Sequence, residues 1–260
     1  MVLAVDIGNS AIHLGLFRQG GLHGTFSLAT APQKTGDEYR WMLRSFLEEN
    51  GVLPEEIEGG ILGSVVPALT ERMKTALEGL LSVAPLVVGP GIRTGFPIRL
   101  DDPTQLGADL AANTAAVLQR VGAPAIWADF GTVTVMCAVD ANRACVGVSI
   151  LPGVGMSLDA MHLLSLLPTV SASGETPVLG KNTPDAMRSG TVRGIAMAAE
   201  GFARLYRDTL AMPEDTPFVV SGGMAEAVLP YLPKEAAHLP HMTLWGLLAI
   251  YEHHRKKAET

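Results

Sequence analysis

The chain has 260 residues, of which 48% are hydrophobic and 17% charged, and its formal net charge is -7. This is enough apolar material for one large or two ordinary domains, and the acidic balance excludes the basic surface on which nucleic-acid binding depends. The sequence has no charge-poor apolar stretch of about 20 residues, so we expect no membrane span. Asp6 interrupts the first apolar run too early for a signal peptide. We expect the two cysteines, Cys137 and Cys145, to face each other across a hairpin. One such pair is too few for a disulfide framework and favours reduced thiols in the cytoplasm.

Hydrophobic spacing in the first part of the chain predicts three strands and then alternating helices and strands. The predicted elements are strands at 1–7, 12–17 and 22–28, a helix at 37–49, a strand at 60–66, a helix at 68–81 and a strand at 85–88. Residues 89–103 are rich in Gly and Pro and lack periodicity, which indicates a loop or crossover.

The same order of elements begins again after this loop. The predictions are a helix at 104–120, strands at 125–130, 133–139 and 144–151, a helix from 153 to about 166, a helix at 183–210, a strand at 217–220 and a helix at 243–254. Thr183 before Pro184 predicts a capped start for the long helix. We therefore expect a duplicated α/β protein, with an N-terminal lobe at 1–103 and a C-terminal lobe at 104–260.

Two turns of similar composition each follow the first strand of a three-strand set. They are Asp6-Ile7-Gly8-Asn9-Ser10 and Asp129-Phe130-Gly131-Thr132-Val133-Thr134. Glycine lets the backbone approach a phosphate closely, main-chain N–H and hydroxyl groups donate to phosphate oxygens, and an aspartate can hold a hydrated metal ion. One such turn is typical of an ordinary hairpin, but its repetition favours a nucleotide-phosphate site.

Asp109 is the best candidate for a general base. It follows Gly107-Ala108 near a predicted helix start, in an otherwise apolar stretch. An aspartate often accepts the hydroxyl proton during phosphoryl transfer. A solvated charge on a helix face is the alternative interpretation of this residue.

Weaker signals come from one glycine pair and three histidines. Gly222-Gly223 lies between a strand and a helix, where an adenosine could lie flat on the backbone, although such a pair is also ordinary at a strand-to-helix turn. His13 and His23 lie on predicted strands without metal-ligand spacing. His162 lies on an apolar helix, where a lone histidine is more often packed than catalytic.

Through these motifs the chain resembles the type III pantothenate kinases. The first turn resembles the family's first phosphate motif, Gly107-Ala108-Asp109 its substrate motif, and the second turn its second phosphate motif. Other segments in the family's order and spacing are Ser64-Val65-Val66-Pro67, Val88-Gly89-Pro90-Gly91, Pro152-Gly153, Gly180-Lys181-Asn182-Thr183 and Ser221-Gly222-Gly223. The resemblance extends from Val2 to about Tyr251.

The resemblance implies a duplicated actin-like (ribonuclease H-like) fold in a cytoplasmic homodimer. The implied activity is ATP-dependent phosphorylation of pantothenate to 4'-phosphopantothenate in coenzyme A biosynthesis, with Asp109 as the base. It also implies a divalent cation (Mg) held by Asp6 through water and a monovalent cation (K or NH4) at Asp129. The implied ATP-binding residues are Asp6, Ile7, Gly8, Asn9, Ser10, Gly131, Thr132, Thr134, Gly222 and Gly223. The implied substrate-binding residues are Leu100, Gly107, Ala108, Leu110, His162 and Thr183.

Three positions depart from the family pattern. Leu110 stands where arginine is usual, Leu100 where an aromatic residue is usual, and Val135 where the second phosphate motif has a hydroxyl. Arginine binds a carboxylate through two charge-assisted hydrogen bonds, which leucine cannot make. Arg99 and Arg188 could replace that arginine, although surface charge is the simpler interpretation. Two alternatives therefore stay open: a non-catalytic or weakly active paralogue that binds nucleotide or a partner and has a regulatory role, and a kinase with a different small acceptor.

Overall fold

The computed structural model describes residues 1–258, and this part of the chain forms ten strands and eight α-helices. The strands are β1 (Val2–Ile7), β2 (Ala11–Arg18), β3 (Gly21–Ala29), β4 (Gly59–Ser64), β5 (Leu86–Val87), β6 (Ala125–Phe130), β7 (Val133–Val139), β8 (Cys145–Pro152), β9 (Phe218–Ser221) and β10 (Ala237–His238). The helices are α1 (Gly36–Glu49), α2 (Pro67–Glu78), α3 (Ala108–Arg120), α4 (Val154–His162), α5 (Thr183–Arg188), α6 (Gly194–Thr209), α7 (Ala225–Val228) and α8 (Met242–Ala258).

The chain divides into two compact units. Unit 1 comprises Met1–Phe96, Asp101–Gln119 and the segment from Thr243, whereas unit 2 comprises Pro97–Leu100 and Arg120–Met242. Almost all of α3 and α8 therefore lies in unit 1, while the expected boundary after residue 103 assigned both helices to the second lobe. Residues 259 and 260 of that expected lobe lie outside the described residues.

The two units contain sheets of the same topology. The strand order is β3-β2-β1-β4-β5 in unit 1, and the equivalent order in unit 2 is β8-β7-β6-β9-β10. In each sheet the first three strands in sequence are antiparallel neighbours, and the last two run parallel to the first. Every strand of one sheet has a counterpart in the other, so the predicted duplicated, actin-like α/β fold is confirmed.

The central strand of unit 1 separates two hydrophobic cores. Leu3, Val5 and Ile7 of β1 pack with residues of α1 and α2, whereas Ala4 packs with residues of α3 and α8. Successive side chains of a strand point to opposite faces, so Asp6 lies on the same face as Ala4. The alternation of β1 thus places Asp6 on the face that α3 and α8 cover.

One predicted helix start was wrong by four residues, and one predicted helix cap was wrong by one residue. The helix predicted from residue 104 begins at Ala108, because Pro103–Gln105 forms a separate 3-10 turn in which the Asp102 side chain accepts from the Thr104 N–H. The cap of α5 is Asn182 rather than Thr183, since Asn182 Oδ1 accepts from the Asp185 N–H at 2.9 Å. Both corrections follow from Asp and Asn side chains, which accept readily from backbone N–H groups two or three residues later.

The long helix predicted at 183–210 is present but is not uniform. α5 continues through a π-helical segment, Ser189–Arg193, into α6, which ends at Thr209. The extra residue of a π-turn shifts the helix face that follows it.

The two cysteines face each other across the β7–β8 hairpin, as the sequence suggested. Their Sγ atoms are 3.3 Å apart, and both residues are buried free thiols. None of the helices in residues 1–258 is long and apolar enough to cross a membrane.

A glycine contact holds α8 against α3 in unit 1. A Cβ atom at Gly246 would overlap the carbonyl group of Ala112, so the two helices pack backbone against backbone at this point. Leu244, Leu247 and Leu248 of α8 complete the same core.

We expect Gly246→Ala to destabilise the protein by about 1–3 kcal/mol, because the helices have to move apart to admit the methyl group. The matched control is Gly201→Ala in the middle of α6, where a Cβ would meet nothing within 4 Å. That change should stabilise by about 0.4–1 kcal/mol, since alanine is the better helix former. Urea unfolding midpoints measure both effects, and equal shifts for the two variants would contradict the close approach.

Candidate active site

The first turn of the candidate site is a tight hairpin connection in unit 1. The Gly8 N–H donates to the Ala11 carbonyl at 2.9 Å. The hydroxyl of Thr30, the residue that follows β3, donates to the Gly8 carbonyl at 2.7 Å. Asn9 and Ser10 form the exposed tip. The side chain of Ile7 is buried in the core, so this residue offers a ligand only its backbone.

The second turn occupies the equivalent place in unit 2. The Gly131 N–H donates to the Val133 carbonyl at 3.1 Å, and Thr132 is exposed. Thr134 differs, because it pairs with Phe130 across the strands and its side chain is completely buried. Its Oγ1 atom has no hydrogen-bond partner among the described residues. The predicted contact of Thr134 with ATP therefore stays a prediction.

Two glycines bring further predicted motifs against this second turn. Gly222 has a φ of +104°, and a Cβ there would overlap both Asp129 Oδ1 and the backbone of Phe130. A Cβ at Gly153 would overlap the carbonyl oxygens of Gly131 and Thr132. The motifs around Asp129, Gly153 and Gly222 thus lie together at one edge of the sheet, and glycine is required where they touch.

Asp109 stands in the first turn of α3, and its carboxylate folds back over the helix start. Oδ1 accepts from the Leu110 N–H at 2.8 Å. A Cβ at Gly107 would lie 2.5 Å from this oxygen, so glycine leaves room for the carboxylate in this orientation. Burial raises the pKa of the Asp109 carboxyl above its usual 3.8, and the N–H groups of Leu110 and Asp109 itself lower it by less. A carboxylate with a raised pKa is a stronger base than an exposed one.

A run of contacts connects Asp109 with Asp6 inside unit 1. Asp6 of β1 pairs with Gly63 of β4, and neighbouring residues of paired strands share a face of the sheet. Ala108 packs over this glycine, because a Cβ at Gly63 would lie 3.7 Å from the Ala108 Cβ. The base candidate and the aspartate of the first turn therefore lie on the same face and at the same end of the sheet.

The predicted acceptor residues are spread over several elements. Gly107, Ala108 and Leu110 surround the start of α3 in unit 1, while Leu100 lies in the short segment assigned to unit 2. In unit 2, His162 is exposed at the end of α4, with a ring nitrogen 3.3 Å from the Thr169 hydroxyl, and Thr183 is exposed at the start of α5.

The two arginines considered as replacements at Leu110 both form ion pairs in unit 2. Arg99 lies 3.3 Å from Asp140, and Arg188 lies 2.5 Å from Asp185. These pairs support the simpler interpretation as structural or surface charge.

Asp6 and Asp129 are the residues best suited to hold cations. Each is a half-buried carboxylate at the end of the central strand of its sheet, beside a glycine turn. Magnesium prefers oxygen ligands and usually takes one or two carboxylates, with water and phosphate oxygens completing its shell. Within residues 1–258, no group of three or more His, Cys, Asp or Glu side chains could hold a metal ion by itself.

The sequence pattern did not predict the polar neighbours of the first turn. Thr30 anchors Gly8, and His13 lies in register with Asp6 on the adjacent strand. The pattern of the β1–β2–β3 hairpins indicates that these residues lie near the turn, but identifying them as neighbours requires the strand register.

Solved structures share the fold of this chain. The activator of the 2-hydroxyisocaproyl-CoA dehydratase from Clostridium difficile, solved with bound ADPNP, has a TM-score of 0.55 and 13% identity, covering 100% of this chain and 97% of its own. Component A of the (R)-2-hydroxyglutaryl-CoA dehydratase from Acidaminococcus fermentans has a TM-score of 0.56 and 13% identity, covering 100% and 99%. At this identity the likeness concerns the fold alone.

Sequence relatives share one description. A type III pantothenate kinase from Shouchella clausii is 38% identical over 259 residues, which is 97% of this chain and 99% of the relative. One from Moorella thermoacetica is 37% identical over 253 residues, with 97% and 99% coverage. The model of the type III pantothenate kinase family matches residues 2–205, and the chain therefore belongs to that family.

Proposed function

We propose that this protein transfers the γ-phosphoryl group of ATP to the primary hydroxyl of pantothenate, producing 4'-phosphopantothenate for coenzyme A biosynthesis. The relatives described as pantothenate kinases, with near-complete coverage, support the reaction type and the acceptor. The observation that carries the proposal is the position of Asp109. It is a half-buried carboxylate with a raised pKa, on the same sheet face as the first phosphate turn.

Asp109 acts as the general base in this proposal. Its carboxylate accepts the proton of the acceptor hydroxyl as the oxygen attacks the γ-phosphorus, and the bond to the β-phosphate oxygen breaks to release ADP. The Leu110 N–H holds Oδ1 in place. A fixed base contributes through positioning, which matters in phosphoryl transfer because little covalent chemistry is left to the protein.

The two glycine turns bind the phosphates of the donor. Exposed groups at Asn9, Ser10 and Thr132 are available to donate to phosphate oxygens. Asp6 holds a divalent cation through water, and Asp129 takes part in binding a monovalent cation. When bound, these ions neutralise the charge that develops on the phosphate oxygens.

The adenosine lies against the Gly222-Gly223 turn, where a Cβ at Gly223 would meet nothing within 4 Å and the backbone is open to a ligand. The acceptor contacts Gly107, Ala108 and Leu110, together with Leu100, His162 and Thr183.

We propose further that the protein is a homodimer of the cytoplasm, a compartment in which the paired free thiols of Cys137 and Cys145 stay reduced.

A coupled assay of ADP release, with ATP, magnesium, potassium and millimolar pantothenate, tests the function. Turnover that depends on pantothenate supports the proposal, and its absence would refute it. Thermal-shift measurements separate the alternatives: stabilisation by ATP without any effect of pantothenate favours a non-catalytic paralogue or a kinase with another acceptor.

We expect Asp109→Asn to reduce kcat by about 100- to 10,000-fold, because the amide cannot accept a proton. The same change should raise the melting temperature at neutral pH, since it removes a buried charge while keeping the oxygen that accepts from Leu110. The expected rise is roughly 2–4 °C for each kcal/mol regained. Asp208→Asn, at an exposed position of α6, is the matched control and should change neither property. A variant with lower activity and lower stability would indicate a structural role for Asp109.

The pH dependence follows from the raised pKa of Asp109. The base works only when deprotonated, so kcat/KM should fall as the pH drops through a value above the usual 3.8. The stability effect has the opposite sense: the folded state binds this proton more tightly, so the free energy of unfolding falls as the pH rises through the same range. The gain from Asp109→Asn should therefore vanish below about pH 3.8. Rate profiles and melting curves between pH 3.5 and 8 measure both.

We expect Leu110→Arg to lower the KM for pantothenate by roughly ten-fold, the value of one charge-assisted hydrogen bond to the carboxylate. The KM for ATP should stay unchanged. Leu110→Gln, which adds polarity without charge, is the control, and the acceptor analogue with an alcohol in place of the carboxylate should show no gain. If neither variant alters the KM for pantothenate, position 110 does not contact the acceptor.

A further inference from the structure

A row of polar side chains crosses three strands of unit 1 beside the first turn. Asp6 of β1 pairs directly with His13 of β2, and His13 pairs directly with Ser27 of β3. Directly paired residues of antiparallel strands place their side chains on one face, with Cβ atoms about 4.5–5.5 Å apart. The three side chains therefore stand side by side in the order Ser27, His13, Asp6.

One link of this row is a hydrogen bond. His13 Nδ1 lies 2.9 Å from Ser27 Oγ. The next position of β2 on the same face is Gly15, and a Cβ there would lie 3.1 Å from Leu244 Cδ1, so α8 covers the sheet at that level. The polar row lies one step nearer to the turn, where His13 is half-buried and Ser27 is exposed.

We propose that His13 is a positioning residue for Asp6, and that Ser27 determines the tautomer of its ring. The Ser27 hydroxyl donates to His13 Nδ1, which leaves the proton on Nε2. The Nε2–H group then donates to one carboxylate oxygen of Asp6, and the other oxygen faces the hydrated divalent cation of the nucleotide. This inference rests on the proposed role of Asp6 in nucleotide binding.

The chemistry of carboxylate ligands explains why such a partner matters. A carboxylate has two oxygens and rotates freely unless one of them is held. Groups that orient metal-binding side chains are typically worth 10- to 100-fold in metal affinity, because they remove this freedom before the ion binds. His13 is placed to supply that restraint from the adjacent strand, without adding a ligand to the cation.

Binding measurements test the positioning role. We expect His13→Leu to weaken magnesium-dependent ATP binding about ten-fold, measured calorimetrically, with little change when magnesium is chelated. His13→Gln keeps an N–H donor at a similar distance from the backbone and should bind within about three-fold of the wild type. His23→Leu, at an exposed position of β3, is the matched control and should bind like the wild type. Unchanged magnesium-dependent binding by His13→Leu, or an equal loss with and without magnesium, would overturn the proposal.

Nitrogen NMR of the histidine rings tests the arrangement of the polar row in the absence of nucleotide. We expect the His13 ring, assigned by its absence in His13→Gln, to be in the Nε2–H form, and Ser27→Ala to shift it toward a mixture of tautomers. A dominant Nδ1–H form in the wild type would contradict the proposed arrangement of the polar row. If the wild type binds no ATP, the proposed function fails, and the tautomer and its dependence on Ser27 still decide the arrangement of the row.

Discussion

The candidate site depends on the close approach of α3 to the central sheet of unit 1. Ala108 packs over Gly63 of β4, and the residue that follows it, Asp109, lies on the sheet face that carries Asp6. Gly246 likewise lets α8 approach the backbone of α3 closely, at Ala112. A Cβ at Gly246 would overlap the Ala112 carbonyl and force α8 away from α3, whereas a Cβ at Gly63 would press on Leu247 of α8 and stay at ordinary contact distance from Ala108. The geometry of the base is therefore determined by positions that carry no chemistry themselves.

The same packing creates a conflict between stability and function at Asp109. Partial burial desolvates its carboxylate and raises its pKa, and the hydrogen bonds that lower the pKa come from backbone N–H groups. Burial of a charge costs free energy, and a protein selected only for stability would place a neutral residue here. Gly107 shows how closely the chain is fitted to this charge, since any side chain at that position would meet Oδ1. Retention of both features fits a residue kept for its basicity.

Local patterns predicted much of the fold and the positions of the two glycine turns. The two turns, the order of the strands and the facing cysteines depend on residues close in sequence, where alternation and glycine spacing are informative. The start of α3 at Ala108 and the cap of α5 at Asn182 were missed because neighbouring residues are equally able to cap, and the outcome depends on packing. At Asn182, for example, Gly180 is pressed against the backbone of Ala186. The partnership of α8 with α3 could not be predicted, since it joins residues more than a hundred positions apart. The polar row at His13 needed strand register, which a composition pattern does not contain.

Because the fold is duplicated, the residues around Asp6 in unit 1 can be compared with those at the equivalent positions of unit 2. The counterpart of Asp6 is Asp129, which pairs with Val135, and Val135 pairs with Ile150. The positions equivalent to His13 and Ser27 are therefore apolar, and Ile150 is 67% exposed. Instead, Asp129 is confined by Gly222, which brings a backbone segment against its carboxylate. One aspartate thus has polar side chains beside it and the other has main chain. We infer that these different surroundings fit the two cation roles proposed above, since a hydrated divalent ion needs an oriented carboxylate with room for water.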